Sequence, residues 1–302
     1  MYTWCSEMPK MEIPANTLFC GRLAERVRSV VLATFLAGVI ACAGLPTARA
    51  QWLNYPDRRT PRTKDGKPNL TAPAPRLNGK PNLSGVWRAE PTPLSEIEQV
   101  VPNFGDIQID ERVTSRYILN VFWGVKPEEE PMRAEAAARM REERPQDATS
   151  LNCLPAGLPF VMFIAPFKIL QGQSEMMILF EHQDPPRQIY LDGRPLPKDP
   201  EPAWMGYSSG KWQGDMLMVD TAGFNGKAGL DAFGHPRSES MHMTESFHRR
   251  DFGHMDVKMT FDDPKYYTRP FSVKSDFWLI PDSDVLEYVC GENEKDRAHV
   301  GN

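Results

Sequence analysis

From Phe167 onward apolar and polar residues alternate with a period of two, the spacing at which a half-buried strand sends successive side chains to opposite faces. Nine stretches carry the pattern: Phe167–Gln171, Glu175–Glu181, Arg187–Leu191, Trp204–Lys211, Met216–Thr221, Ser240–Arg249, Met255–Phe261, Val273–Ile280 and Val285–Cys290. Most are separated by turn chemistry, as at Gly172-Gln173, Asp184-Pro185-Pro186, Gln213-Gly214-Asp215, Asp251-Phe252-Gly253 and Asp262-Asp263-Pro264. Strands in succession with tight turns form an antiparallel meander. With one apolar face to bury, such a meander closes into an up-and-down barrel or stacks as two sheets, and closure removes the exposed edges.

The chain ahead of the strands reads differently. Residues 51–81 are rich in Pro, Lys and Arg and contain the tandem pair Gly66-Lys67-Pro68-Asn69-Leu70 and Gly79-Lys80-Pro81-Asn82-Leu83, too few copies for a repeat fold. They predict an extended surface arm that enters a domain over residues 82–302 at Leu83-Ser84-Gly85-Val86-Trp87-Arg88, a first strand. Residues 94–126 are ambiguous, and Arg116–Trp123 suits a buried strand or helix equally. Residues 128–144, with acids first and bases later, predict one solvated cover helix with a thin stripe of Met132, Ala136 and Met140.

The first fifty residues look like an address. Arg22, Arg26 and Arg28 precede the uncharged run Ser29–Leu45, then Pro46 and Ala48-Arg49-Ala50, the pattern of a secretory signal cleaved near Ala50. An uncleaved anchor is the rival, for which the run is short. A second rival is a lipoprotein box at Val39-Ile40-Ala41-Cys42, with a lipid anchor on Cys42. Cleavage at Ala50 removes five basic and three acidic residues, so the formal charge moves from -5 to -7. No basic stripe is left to neutralise a phosphate backbone, which excludes nucleic acid as an expected partner. Cleavage also leaves Cys153 and Cys290, and two cysteines in an oxidising compartment most simply form one disulfide.

Candidate chemistry follows from strand parity. In Ser240–Arg249 the residues Met241, Met243, Glu245, Phe247 and Arg249 share the inward face. Glu245 and Arg249 are then charges among apolar residues, and each needs a partner. They lie about 13 Å apart along the strand and cannot be taken to bond each other. One reading pairs them with cross-strand neighbours near the rim; the other makes them catalytic, Glu245 as base and Arg249 as the group that steadies an oxyanion. Met241, Met243 and Met255 with Trp204, Tyr207 and Trp212 suit either an ordinary core or the walls of a plastic apolar pocket. Tyr288 and Glu292, beside Cys290, are candidates for the pocket mouth. His242, His248 and His254 recur every six residues on the outward face and match no metal signature, so no metal and no cofactor are expected. No Gly-x-Ser-x-Gly elbow, P-loop or dinucleotide fingerprint is present.

Gly85-Val86-Trp87 on the first strand resembles the entry of lipocalin-like barrels. The stretches GKPNLSGVW, CLPAGLP from Cys153, AWMGYSSGKWQGDMLMVDTAGFN from Ala203, MTESFHRRDFGHMDVKMTFDDPKYYTRPF from Met243 and LEYVCGENEKDRAHVGN at the end resemble a widespread family of secreted bacterial proteins, over roughly residues 60–302. The resemblance implies secretion and a lipocalin-like β-barrel and brings no catalytic residues with it. Three function classes are compatible with this reading. They are a secreted or periplasmic binder of a small hydrophobic or amphipathic molecule, a cofactor-free isomerase, cyclase or lyase acting on such a molecule, and an envelope interaction module.

Overall fold

A computed structural model describes residues 55–100, 114–142 and 152–290. Residues 1–50, with the signal segment and Cys42, lie outside the described residues, as does Glu292. The alternating stretches become strands at the expected places: β4 (Phe167–Gln171), β5 (Glu175–Phe180), β6 (Arg187–Tyr190), β7 (Tyr207–Gln213), β8 (Met216–Ala222), β9 (His242–Arg249), β10 (His254–Asp262) and β11 (Phe271–Leu279). Earlier in the chain come β1 (Arg76–Leu77), β2 (Lys80–Pro81) and β3 (Gly85–Ala89), the last being the expected first strand. Strands β3 to β11 form one closed barrel in the order β10-β11-β3-β4-β5-β6-β7-β8-β9, with β9 paired to β10.

All barrel pairings are antiparallel except β6 with β7, where Ile189 faces Ser208 and Tyr190 faces Ser209 in parallel register. A long connection between them, residues 191–206, carries Pro195, Pro197, Pro200 and Pro202 and returns the chain to the end where β6 began. A tight turn cannot join parallel neighbours, so this is the one step where the up-and-down meander is interrupted. The stretch Val285–Cys290 is not a strand. The reason is topological: β11 is already paired on its free side by β3, Trp278 facing Arg88, so the closed barrel offers no edge for a further strand. Residues 280–290 instead form a strap across the outer wall, from Ile280, whose N–H donates to Val86 O, to Leu286, whose N–H donates to Glu181 Oε2 at 3.1 Å.

The disulfide Cys153–Cys290 ends this strap and spans 137 residues of chain. Such a bridge is expected of an oxidising compartment. No helix among the described residues is long and apolar enough to cross a membrane.

The expected cover helix is shorter than its sequence suggests. Pro127–Glu129 form a single 3-10 turn, Glu130 is extended ahead of Pro131, and the helix proper runs Ala134–Glu142. Among the described residues three other helices, Leu94–Val100, Arg116–Leu119 and Val161–Ile164, lie in the long insertion between β3 and β4.

The N-terminal arm is docked rather than free. Each copy of the tandem motif closes a hairpin through its asparagine: Asn69 N–H donates to Pro61 O and Asn82 N–H to Pro75 O, both at 2.8 Å. Gly66 and Gly79 both take φ near +80°, the left-handed turn position that favours glycine. The leucine closing each copy, Leu70 or Leu83, turns into the core. Leu70 O and Ala72 O accept the N–H groups of Gly253 and Phe252 at 2.7 Å, which lays the arm across the barrel end where β9 and β11 finish.

Candidate functional site

Parity within the barrel is as expected. On β9 and β10 every second residue, Met243 to Arg249 and Met255 to Phe261, is buried, and the three outward histidines are partly exposed. The inward residues Met176, Ile178, Leu217, Phe247, Met259 and Phe277 have no solvent-accessible surface, so no water-sized space touches them. One end of the interior is closed by the arm, with Leu83 and Trp87. The other is closed by the insertion and by the 222–241 and 263–270 loops, which bring in Phe122, Phe163 and Tyr267.

Inside this core sits one ion pair. Arg187, inward on β6, donates from Nη1 to Glu245 Oε1 at 3.0 Å and from Nη2 to Glu245 Oε2. Its Nε reaches Ser208 Oγ at 3.2 Å and Nη2 also reaches Thr221 Oγ1 at 2.9 Å. Ser208 and Thr221 are direct cross-strand partners whose hydroxyls lie 2.9 Å apart. The network therefore crosses four adjacent strands, and all four side chains are buried. Both oxygens of Glu245 accept from one guanidinium, so the carboxylate is committed to a buried ion pair.

Arg249 points the same way as Glu245 but at the arm-covered end. It donates to the carbonyl oxygens of Asn82, Ser84, Asp251 and Phe252, and its guanidinium lies 4.9 Å from the Trp87 ring. Burial pushes it down to about 10, against the opposing charge of Asp251. It clamps the end of the barrel to the arm.

The remaining expected site residues do not converge. Met241, Met243 and Met255 are core residues distributed along the barrel. Trp212 packs against the core near the turn to β8. Tyr207 alternates with inward Ser208 and faces outward. Trp204 is partly buried and its carbonyl accepts from Arg237 at 3.0 Å. Tyr288 is on the strap beside the disulfide and stacks on His182.

A cleft of about 1200 Å³ lies instead on the outer wall, at the arm-covered end of β3, β4 and β5. Its floor is Val86, Leu170 and Met177 with Lys168 and Glu175. Its sides are the arm from Tyr55 to Thr60 and the first part of the strap, Ile280 to Asp284. The two sides are tied together, since Asp57 N–H donates to Asp282 Oδ1 at 2.9 Å and Arg62 Nη2 reaches the same oxygen at 2.7 Å. Lys168 Nζ lies 2.8 Å from both oxygens of Asp284 and pins the strap to β4. Burial alone would raise Asp284; the Lys168 ammonium and the Val285 N–H outweigh it and hold the carboxyl below its ordinary value. The Arg59 guanidinium likewise holds Asp57 low. Leu170 remains 44% exposed on this floor, an uncovered apolar side chain beside the paired Lys168 and Asp284.

Two further polar groups stand out at the loop end of the barrel, and sequence reading missed both. His235 lies between Asp231, 2.6 Å from Nδ1, and Glu130, 3.3 Å from Nε2. His182 lies 2.6 Å from buried Asp184. The second pair is local, at i and i+2, and its spacing in Glu181-His182-Gln183-Asp184-Pro185 was the available signal. The first depends on Glu130, 105 residues away, which no local pattern gives. Among the described residues no group of three or more His, Cys, Asp or Glu is arranged to hold a metal ion. No family model, curated protein or solved structure matches the chain, and the site is read from its own residues.

Proposed function

We propose that the protein is a secreted or periplasmic binding protein for a small amphipathic molecule, and that the molecule lies in the outer-wall cleft between arm and strap. The observation that carries this reading is the cleft itself: about 1200 Å³, with Leu170 and Met177 on its floor. Ligand clefts of roughly 300–1,000 Å³ with an apolar floor and a few fixed polar groups are the common form of small-molecule site. The filled barrel interior supports the outer position, because a ligand inside would have to displace side chains packed at crystal-like density. The Arg-flanked apolar run ending at Ala48-Arg49-Ala50, together with the disulfide, supports export with cleavage near Ala50. Membership of the secreted bacterial family that the long stretches resemble is part of the same proposal.

Leu170 and Met177 face out of the barrel, so replacing them alters the cleft without touching the core. Titration calorimetry of the mature protein with dodecanoate, an amphiphile with a carboxylate head, is expected to give saturable binding. Leu170→Asp and Met177→Asp are each expected to weaken it about tenfold or more, the equivalent of about 1.4 kcal/mol. No binding to the wild type, or equal affinity in both variants, overturns the proposal.

A further inference from the structure

The β5–β6 connection carries His182 and Asp184 at the opposite end of the wall from the cleft floor. The Asp184 side chain is fully buried. Its Oδ1 accepts the Gly157 N–H at 2.6 Å, and its Oδ2 accepts the Ala156 N–H at 3.2 Å and lies 2.6 Å from His182 Nδ1. With both carboxylate oxygens already accepting, the hydrogen of the imidazole contact belongs to Nδ1. In neutral imidazole the lone pair then stands on Nε2. That nitrogen has no hydrogen-bond partner among the described residues, and the side chain is 14% exposed.

Three features hold this pair in place. The Tyr288 ring stacks on the imidazole, with centroids 5.5 Å apart and planes 19° apart. The disulfide fixes Tyr288 from one side and Leu154 from the other, since Cys290 and Cys153 are their near neighbours in sequence. Gln183 Nε2 donates to Leu154 O and ties the histidine loop to the same segment. Behind the loop lies the buried guanidinium of Arg237, which donates to Leu158 O and Trp204 O and has no partner for Nε. A Cβ added to Gly157 would stand 2.7 Å from Arg237 Nη2, so the cation backs the segment whose N–H groups hold Asp184. The segments that flank the imidazole expose three apolar side chains, Leu154 at 43%, Tyr288 at 50% and Val289 at 44%, alongside Asn152 and Glu287.

We propose that His182 is the general base of a second site, oriented by Asp184, which accepts at Nε2 a proton from a small, flat, uncharged molecule resting on Leu154, Tyr288 and Val289. This site is separate from the cleft. An acidic partner behind Nδ1 and a free lone pair at Nε2 are the arrangement of an oriented general base. His235 lacks it, because both its nitrogens face carboxylates. His254 has the aspartate, Asp251, but that carboxylate is over a quarter exposed and serves a local turn.

The probe for this step is 5-nitrobenzisoxazole, a flat aromatic whose ring opening needs one base. The C3 proton passes to Nε2, its electron pair forms the nitrile, the N–O bond breaks, and the phenolate oxygen keeps the bonding pair. The imidazolium then returns the proton to water. The disulfide-bonded mature protein is expected to release the coloured phenolate faster than buffer alone does. His182→Gln is expected to abolish that rate, and Asp184→Asn to lower it about tenfold or more. His254→Gln and Leu170→Asp are expected to leave it unchanged, which separates this site from the amphiphile cleft. Nitrogen-15 NMR of the neutral His182 ring is expected to show Nδ1 protonated. A wild-type rate no higher than that of His182→Gln, or a ring protonated at Nε2, overturns the proposal. His182→Gln decides the matter alone should Asp184→Asn fail to fold, because the ring makes a single hydrogen bond.

Discussion

Arg187 at the start of β6 and Glu245 in the middle of β9 meet inside the barrel across two intervening strands, each contributing one hydroxyl, Ser208 or Thr221, to the contact. The pair is fully desolvated, so removing one member strands the other. Glu245→Ala is expected to destabilise the fold by about 3–5 kcal/mol, the usual cost of leaving a buried charge unpaired. Replacing both, as in Arg187→Met with Glu245→Leu, is expected to restore most of that loss. Urea denaturation of the wild type and the two variants checks the loss and its recovery. A double variant no more stable than the single one would mean that the hydroxyls, and not the charges, hold the four strands in register.

The His235 imidazole gives the loop end a pH dependence. Burial would push its pKa down, but the hydrogen bond and charge of Asp231 and the charge of Glu130 outweigh burial and raise it above the ordinary 6.5. Both ring nitrogens are then donors, and the cation joins the 222–241 loop to the insertion. Because the folded value is raised, this stabilisation is complete below pH 6.5 and fades as pH climbs through the folded value. The denaturation midpoint is therefore expected to fall across that window in the wild type. In His235→Gln the slope is expected to flatten, with a lower midpoint at acid pH.

Strand parity made the inward face legible from sequence, including the two charges on β9, because alternation is a local property of consecutive residues. The partner of Glu245 was half legible. Arg187 shares a face with inward Ile189, so its parity marked it as buried, but nothing local says which strand it will meet. Val285–Cys290 alternates like a strand and fails to be one because pairing needs a free edge, which closure had removed. The cleft was not legible at all. It exists because the arm and the strap, more than 200 residues apart, are tied through Asp57, Arg62 and Asp282.

Loss of the disulfide is expected to act on the strap first. The bridge closes 137 residues, and removing a native bridge costs about 2–5 kcal/mol. In Cys153→Ser with Cys290→Ser the strap keeps Lys168–Asp284 and the Leu286–Glu181 bond, both only partly buried. Hydrogen exchange is therefore expected to speed up over residues 285–290 well before it does over β9 and β10. Uniform acceleration through the barrel would show that the bridge stabilises the whole domain rather than the strap.

The docking of the arm turns on Gly253. A Cβ there would stand 2.5 Å from Leu70 Cβ and 2.9 Å from Leu70 O, and backbone on that side cannot yield without breaking the two bonds that hold the arm. Gly253→Ala is therefore expected to release the arm while the barrel, closed through β9, β10 and β11, stays folded. Limited trypsin digestion reads this directly, since Arg58, Arg59, Arg62 and Lys64 all lie on the arm. Cleavage at these sites is expected to accelerate about tenfold, while the barrel strands β3 to β11 stay uncut. The same variant is expected to lose dodecanoate binding, because Tyr55 to Thr60 form one side of the cleft. An arm that stays protected in Gly253→Ala would mean that Arg62–Asp282 and Arg76–Asp215, both at 2.7 Å, suffice to hold it.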